Sequence, residues 1–74
     1  MDDTFLKSLR EFGTILKQQR ISEKYTQKQV AAGLKITYQA YQAYEAGISL
    51  PTFENFLKLC DFFDLTPNDL LGIK

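Results

Sequence analysis

The residues best suited to specific chemistry lie in the segment TYQAYQAYEAG, residues 37–47. If this segment is a helix, its side chains divide between two faces. One face carries Tyr41, Tyr44 and Glu45, and the other carries Gln39, Gln42, Ala43 and Ala46, with Tyr38 at the tip. A carboxamide can bond adenine through two hydrogen bonds, and an alanine methyl can touch a thymine methyl. The second face therefore suits the edges of DNA bases, and the alternative is an ordinary solvated face.

The charges of the chain are balanced overall but unevenly distributed. Nine basic and nine acidic side chains give a net charge of zero, which argues against a general nucleic-acid binder. Residues 17–47 nevertheless hold five basic and two acidic side chains. Lys17, Lys28 and Lys35 are thus candidates to face DNA phosphates, with ordinary solubilising charge as the alternative. Lys28 is the strongest of them, because a cation in the first turn of a helix opposes the helix dipole.

Other kinds of chemistry have little support in the composition. The chain has one cysteine and no histidine, so we expect no disulfide within the chain, no metal site and no cysteine–histidine nucleophile. Asp61 and Asp64 are spaced like paired carboxylates, but no pocket residues accompany them, and we assign them to a solvated face. We expect no enzyme activity, cofactor or small-molecule ligand. Cys60 is interpreted as a small core residue.

The chain also carries no signal for export or for a membrane. The first residues, MDDTFLKS, are acidic and precede no apolar run, and no apolar stretch is long enough to span a bilayer. With a single cysteine, the expected compartment is a reducing cytoplasm.

Helical spacing runs through the whole sequence, which predicts an all-α protein of five helices. The first helix is predicted from about Phe5 to Glu23, with Gly13 weakening or kinking its middle. Thr26, Thr37, Thr52 and Thr66 are predicted to cap the four later helices. The apolar stripe predicted for the fourth helix is Phe53, Phe56, Leu57, Cys60 and Phe63.

The second and third predicted helices are short and closely joined. A connection of about three or four residues cannot make them antiparallel, so it sets them at the steep angle of a helix-turn-helix. We therefore predict one domain over residues 1–74, with a helix-turn-helix core at about 26–46 and an N-terminal lead-in at 1–11.

The segment TQKQVAAGLKITYQAYQAYEAGISLPTFENFLKLCDFFDLTPNDLL, preceded by FGTILKQQR, resembles the Cro/C1 phage-repressor (Xre-type) family of transcriptional regulators. The resemblance covers about residues 12–71. The matching positions are Arg20, Thr26, Gln27, Val30, Ala31, Ile36, Thr37, Glu45, Gly47, Pro51, Leu65, Leu70 and Leu71. It implies a compact five-helix, lambda-repressor-like DNA-binding domain from a bacterium or phage.

The resemblance also implies roles for single residues. The base-reading positions would be Tyr38, Gln39, Gln42 and Ala43. The contacts with the DNA backbone would come from Thr26, Gln27, Lys28, Lys35, Lys17 and Thr37. Gln27 would also brace the tip of the third helix. Arg20 and Glu45 match a family pair that ties the first helix to the third.

This chain departs from the family pattern at several positions. Lys35 stands at the tight turn where the family usually has glycine or asparagine, and Lys24 replaces a frequent glycine. Tyr41 and Tyr44 replace the usual isoleucine or leucine. Buried tyrosine hydroxyls would need hydrogen-bond partners. The segment GISLP after the third helix has no charge, whereas the family loop is often basic.

These features predict a sequence-specific transcriptional regulator that binds double-stranded DNA, acting as a repressor on a palindromic operator as a homodimer. The candidate dimer residues are Phe62, Leu70, Leu71 and Ile73. The alternative is a protein-interaction module, antitoxin-like or antirepressor-like, with little affinity for DNA. Zero net charge, an uncharged outer face of the third helix and the uncharged GISLP segment favour that alternative.

Overall fold

The computed structural model describes residues 3–73 and contains five helices joined by short connections. In chain order they are α1 (Asp3–Ser22), α2 (Gln27–Leu34), α3 (Tyr38–Glu45), α4 (Phe53–Phe63) and α5 (Pro67–Leu71). No strand occurs within the described range, and the predicted all-α, five-helix fold is confirmed. No helix in that range is both long enough and apolar enough to cross a membrane.

Four helices begin at the predicted threonines. The hydroxyl oxygens of Thr26, Thr37, Thr52 and Thr66 accept the backbone N–H three residues further on, which satisfies one of the free donors at each helix start. At Thr26 and Thr66 the third helical residue, Gln29 or Asp69, accepts the N–H of the capping threonine in return. These interactions are local, which is why the sequence predicts them.

A single apolar cluster joins all five helices. Its buried members are Phe12, Leu16, Val30, Ala31, Leu34, Tyr41, Tyr44, Leu59, Cys60, Phe63 and Leu70. α1 packs against α3 and α5, while α2 packs against α3 and α4. The Phe12 and Phe56 rings stack across α1 and α4, with their centroids 6.3 Å apart. The burial of Cys60 agrees with its interpretation as a core residue.

The structure corrects the prediction for Gly13. α1 is one continuous helix, so this glycine neither ends nor separates its first part. A Cβ at position 13 would lie 2.5 Å from the carbonyl oxygen of Glu45 and 2.7 Å from that of Tyr44. Glycine is present because the backbones of α1 and α3 touch there, a contact that helical periodicity does not reveal.

Two further predictions about burial are wrong in part. In α4, Leu59 is fully buried, whereas Phe53 and Leu57 are 67% and 48% exposed. The stripe is displaced because α4 turns its Leu59 side, rather than its Phe53 side, toward the core. The sequence predicts Leu70 as a dimer contact, but Leu70 is completely buried inside its own chain. It therefore has no surface to offer a partner.

Candidate nucleic-acid interface

The connection between α2 and α3 consists of Lys35, Ile36 and Thr37. Lys35 adopts the left-handed conformation at φ 59°, and its N–H together with that of Ile36 returns to carbonyls of the last turn of α2. Ile36 packs against the core, and Thr37 caps α3. This reversal lets the two eight-residue helices cross within three residues.

A network of charged and amide groups fixes α3 against α1 and α2. Arg20 donates to Glu45 through two nitrogens, Nε to Oε2 at 2.7 Å and Nη2 to Oε1 at 3.1 Å. Its third nitrogen, Nη1, donates to the carbonyl of Tyr25 at 2.9 Å. Gln27 Nε2 donates to the same Glu45 carboxylate at 3.0 Å. The side chains of Arg20 and Glu45 are 13% and 3% exposed, so the pair is shielded from water.

The contact of Gln27 differs from the one that the resemblance implied. Gln27 braces Glu45, the last residue of α3, and not the tip of the helix at Tyr38. Burial raises the pKa of the Glu45 carboxyl, but the hydrogen bonds from Arg20 and Gln27, together with the nearby Tyr41 hydroxyl, outweigh burial and lower the pKa below its ordinary value. The hydrogen bond to Glu45 likewise raises the pKa of Arg20. Both groups are held in their charged forms.

The inner face of α3 carries two buried tyrosines whose hydroxyls differ. The Tyr44 hydroxyl accepts a hydrogen bond from Asn55 Nδ2 at 3.1 Å. The Tyr41 hydroxyl is buried near the Glu45 carboxylate but forms no hydrogen bond with good geometry. Burial, followed by the neighbouring Glu45 carboxylate, raises the pKa of Tyr41 well above its ordinary value. Tyr41 is therefore a neutral core residue with an unsatisfied polar atom.

The outer face of α3 is open to solvent. Gln39, Gln42 and Ala46 are exposed, while Tyr38 and Ala43 are partly buried. Lys28 Nζ lies 5.4 Å from the centre of the Tyr38 ring, close enough for a cation–π contact. The position of Lys28 in the first turn of α2 therefore has an explanation besides DNA phosphate, since the ring of Tyr38 stabilises this cation within the protein itself.

The remaining candidate residues lie around this face. Lys17, from α1, borders a shallow groove together with Gln27, Gln42, Glu45 and Ala46. Thr26, Lys28, Lys35 and Thr37 are exposed at the ends of α2 and at the start of α3. The hydroxyls of Thr26 and Thr37 already serve as helix caps. α1, α2 and α3 therefore present basic and amide groups around one exposed helix.

The remaining dimer candidates do not form one surface. Phe62 borders a groove beside Gly33 and Lys35 and packs on the Tyr25 ring at 5.2 Å. Leu71 and Ile73 lie instead with Leu50 around an apolar groove next to α1.

The structure also gives roles to three residues that sequence reasoning missed, namely Tyr25, Asn55 and Gly13. The glycine in FGTIL, seven residues before Arg20, was an available signal for the last of them.

The described part of the chain contains no cluster of side chains suited to binding a metal ion. Nowhere in residues 3–73 do three side chains of the aspartate, glutamate, cysteine or histidine types gather closely enough to hold an ion.

Two short capped helices crossing at a left-handed turn, the second with a solvent-exposed polar face, define a helix-turn-helix domain. The family model described as helix-turn-helix (HTH_3) matches residues 16–70. The chain belongs to this Cro/C1-type helix-turn-helix family.

A named relative and a solved structure are similar to this chain. It is 37% identical over 57 residues to the cryptic phage CTXphi transcriptional repressor RstR of Vibrio cholerae serotype O1. That alignment covers 77% of this chain but 51% of RstR, so the chain spans about half the length of that relative. The crystal structure of the restriction-modification controller protein C.AhdI from Aeromonas hydrophila superposes with a TM-score of 0.78 at 26% identity, covering 84% of this chain and 94% of C.AhdI.

Proposed function

We propose that the chain is a sequence-specific DNA-binding transcriptional regulator that acts as a repressor in the cytoplasm of a bacterial cell. The observation that carries the proposal is the outward face of α3, where Gln39 and Gln42 stand exposed on a helix fixed from behind by Arg20 and Glu45. A helix fits the major groove, and small neighbours such as Ala43 let its backbone approach the bases. The name of RstR as a repressor supports the same proposal.

In this proposal the candidate residues divide into two classes. Tyr38, Gln39, Gln42 and Ala43 contact base edges, which determines sequence preference. The DNA backbone is contacted by Lys17, Thr26, Gln27, Lys28, Lys35 and Thr37. Phosphate contacts release counterions, so affinity falls with added salt, whereas loss of a base contact changes which sequence is preferred.

The first test is selection of duplexes from a randomised DNA pool at low salt, repeated at higher salt. Retention of one motif that weakens as salt rises is the expected result. Gln42→Ala should alter the selected base at one position, at a cost of about 1–3 kcal/mol for the original motif. Gln18→Ala is the matched control, because Gln18 is an exposed glutamine on α1. A pool that stays random would contradict the proposal.

We further propose that the regulator is a homodimer on a palindromic operator, since one such domain contacts one half-site. The surface that supports this includes Leu71 and Ile73, which are 46% and 56% exposed, and the neighbouring Leu50. Wild-type protein should sediment as a dimer at micromolar concentration, and Ile73→Glu should make it monomeric. Ile21→Glu is the control, because Ile21 is an equally exposed apolar residue near the C-terminal end of α1. A wild-type monomer at every concentration would remove the dimer from the proposal.

The second candidate function is a protein-interaction module. The exposed apolar residues Leu50, Phe53, Leu57, Leu71 and Ile73 could contact a protein partner, which favours it. The double change of Lys28 and Lys35 to glutamate separates the two functions. It should abolish DNA binding through repulsion of phosphates, and it should leave an apolar partner interface intact. DNA binding that survives both changes would show that the phosphate-facing side is placed wrongly.

A further inference from the structure

The loop that follows α3 lacks charge, but a cation from α1 lies directly on it. Gly47 has φ +72°, and a Cβ at this position would lie 3.2 Å from both Cα and Cγ of Arg10. The stem of Arg10 therefore packs over the first residue of the uncharged segment GISLP. The structure thus brings the side-chain stem of Arg10, from a distant part of the sequence, to the end of α3.

Arg10 is free to interact with something outside the chain. It is exposed, and among the residues that the structure describes its guanidinium has no ion-pair partner. It also lies outside the family match, which begins at residue 16, within the N-terminal part of α1. Its presence is therefore not explained by the helix-turn-helix pattern itself.

Lys17 continues this basic surface along α1. Arg10 and Lys17 are seven residues apart, or about two helical turns, so they project from the same side of the helix. Gly13, between them, touches the backbone of α3, and Lys17 borders the groove that contains Gln42. Both cations therefore flank the C-terminal half of α3.

We infer that Arg10 is a DNA phosphate-binding residue beside the C-terminal end of α3, with Lys17 contacting a second phosphate nearby. This inference rests on the proposed function, since it assumes that the outer face of α3 meets DNA. The ligand is a phosphodiester of the DNA backbone adjoining the half-site. A guanidinium suits this ligand because it can donate two parallel hydrogen bonds to phosphate oxygens.

The test measures the dependence of DNA affinity on salt for wild type, Arg10→Gln and Lys7→Gln, with the duplex obtained from pool selection. Each lost phosphate contact should lower the slope of log affinity against log salt by about 0.9 per bound chain. Arg10→Gln should show this loss without a change in the selected sequence. Arg10→Lys should keep the wild-type slope, and Arg10→Gln with Lys17→Gln should lose about twice as much.

Lys7→Gln is the matched control, because it removes the same charge from the same helix one turn further from α3. Its slope should stay at the wild-type value. Equal slopes for wild type and Arg10→Gln, or equal losses in Arg10→Gln and Lys7→Gln, would overturn the inference while leaving the proposed function intact. Failure of the wild-type protein to bind any duplex would overturn both.

Discussion

The α-carbon of Gly13 lies so close to the carbonyl oxygen of Glu45 that an added Cβ would come within 2.5 Å of it. The side-chain carboxylate of the same Glu45 accepts hydrogen bonds from Arg20 and Gln27. Backbone contact and side-chain pairing therefore coincide at the C-terminal end of α3. This coincidence sets how far α3 stands from α1 and which of its faces turns outward.

Gly13→Ala should destabilise the protein although alanine is the better helix former. The gain in helix propensity is about 1 kcal/mol, but the new methyl group meets backbone atoms that cannot move aside. We expect a net loss of about 1–3 kcal/mol, the usual effect of overpacking. The control is Gly33→Ala, where the three nearest atoms to the new methyl group belong to the side-chain ring of Phe62 rather than to the backbone. Urea unfolding measures both, and an equal or smaller loss at position 13 would contradict the close contact.

Glu45→Gln should cost much more than a comparable change at the surface. It leaves the Arg20 guanidinium shielded from water without a counter-charge, which typically costs about 3–5 kcal/mol for a fully buried pair and somewhat less here. Glu54→Gln is the control, because Glu54 forms an exposed pair with Lys58 at 3.8 Å. Its expected loss is below about 0.5 kcal/mol. Similar losses for the two variants would show that the Arg20–Glu45 pair contributes little.

The acid side of the stability curve should carry the signature of Glu45. The folded pKa of Glu45 lies below its ordinary value of 4.5, so the unfolded chain binds the proton more readily. The stabilisation is thus complete above about pH 4.5 and is lost as pH falls through the folded pKa. Asp69, whose pKa is lowered by its hydrogen bonds with Thr66, adds to the same trend. Unfolding followed from pH 7 to pH 3 should show a shallower decline in Glu45→Gln than in wild type.

The two buried tyrosines should respond in opposite ways to loss of the hydroxyl. Tyr41→Phe removes an unsatisfied buried oxygen, so we expect unchanged or increased stability, by up to about 1 kcal/mol. Tyr44→Phe removes the acceptor of Asn55 Nδ2, so we expect a loss of about 1 kcal/mol. The two variants are each other's control in thermal unfolding. Destabilisation by Tyr41→Phe would show that its hydroxyl contributes through Glu45.

Lys35→Gly should stabilise the turn between α2 and α3. A side chain at φ 59° strains the backbone by about 1–2 kcal/mol, and glycine removes that strain but is more flexible when unfolded. The expected net gain is about 0.5–1 kcal/mol. Lys35→Ala removes the same charge and keeps the Cβ, so it should show no such gain. DNA affinity should fall equally in both variants if Lys35 contacts phosphate.

The helix starts, the α2–α3 turn and the outer face of α3 were predictable because each depends on residues within a few positions of one another. Thr26 with Gln29 forms a complete local motif, and so does Thr66 with Asp69. The apolar stripe of α4 was predicted less well. Helical periodicity shows that α4 has an apolar side, but it does not show exactly which residues of that side face the core. Phe53 is exposed and Leu59 is buried, so the rotation of α4 about its axis is set by the helices that pack against it.

The all-helical class, four of the helix starts and the division of α3 into two faces follow from the amino-acid sequence, since they depend on short-range hydrogen bonding and helical periodicity. The remaining features arise from the packing of the helices. Packing brings the Gln27 amide into a hydrogen bond with Glu45 and leaves the Tyr41 hydroxyl without a hydrogen-bond partner. It also buries Leu70 within its own chain. Packing likewise lays Arg10 over Gly47, across 37 residues of sequence. Such contacts join positions that no local pattern relates, and they exist only once the helices have packed.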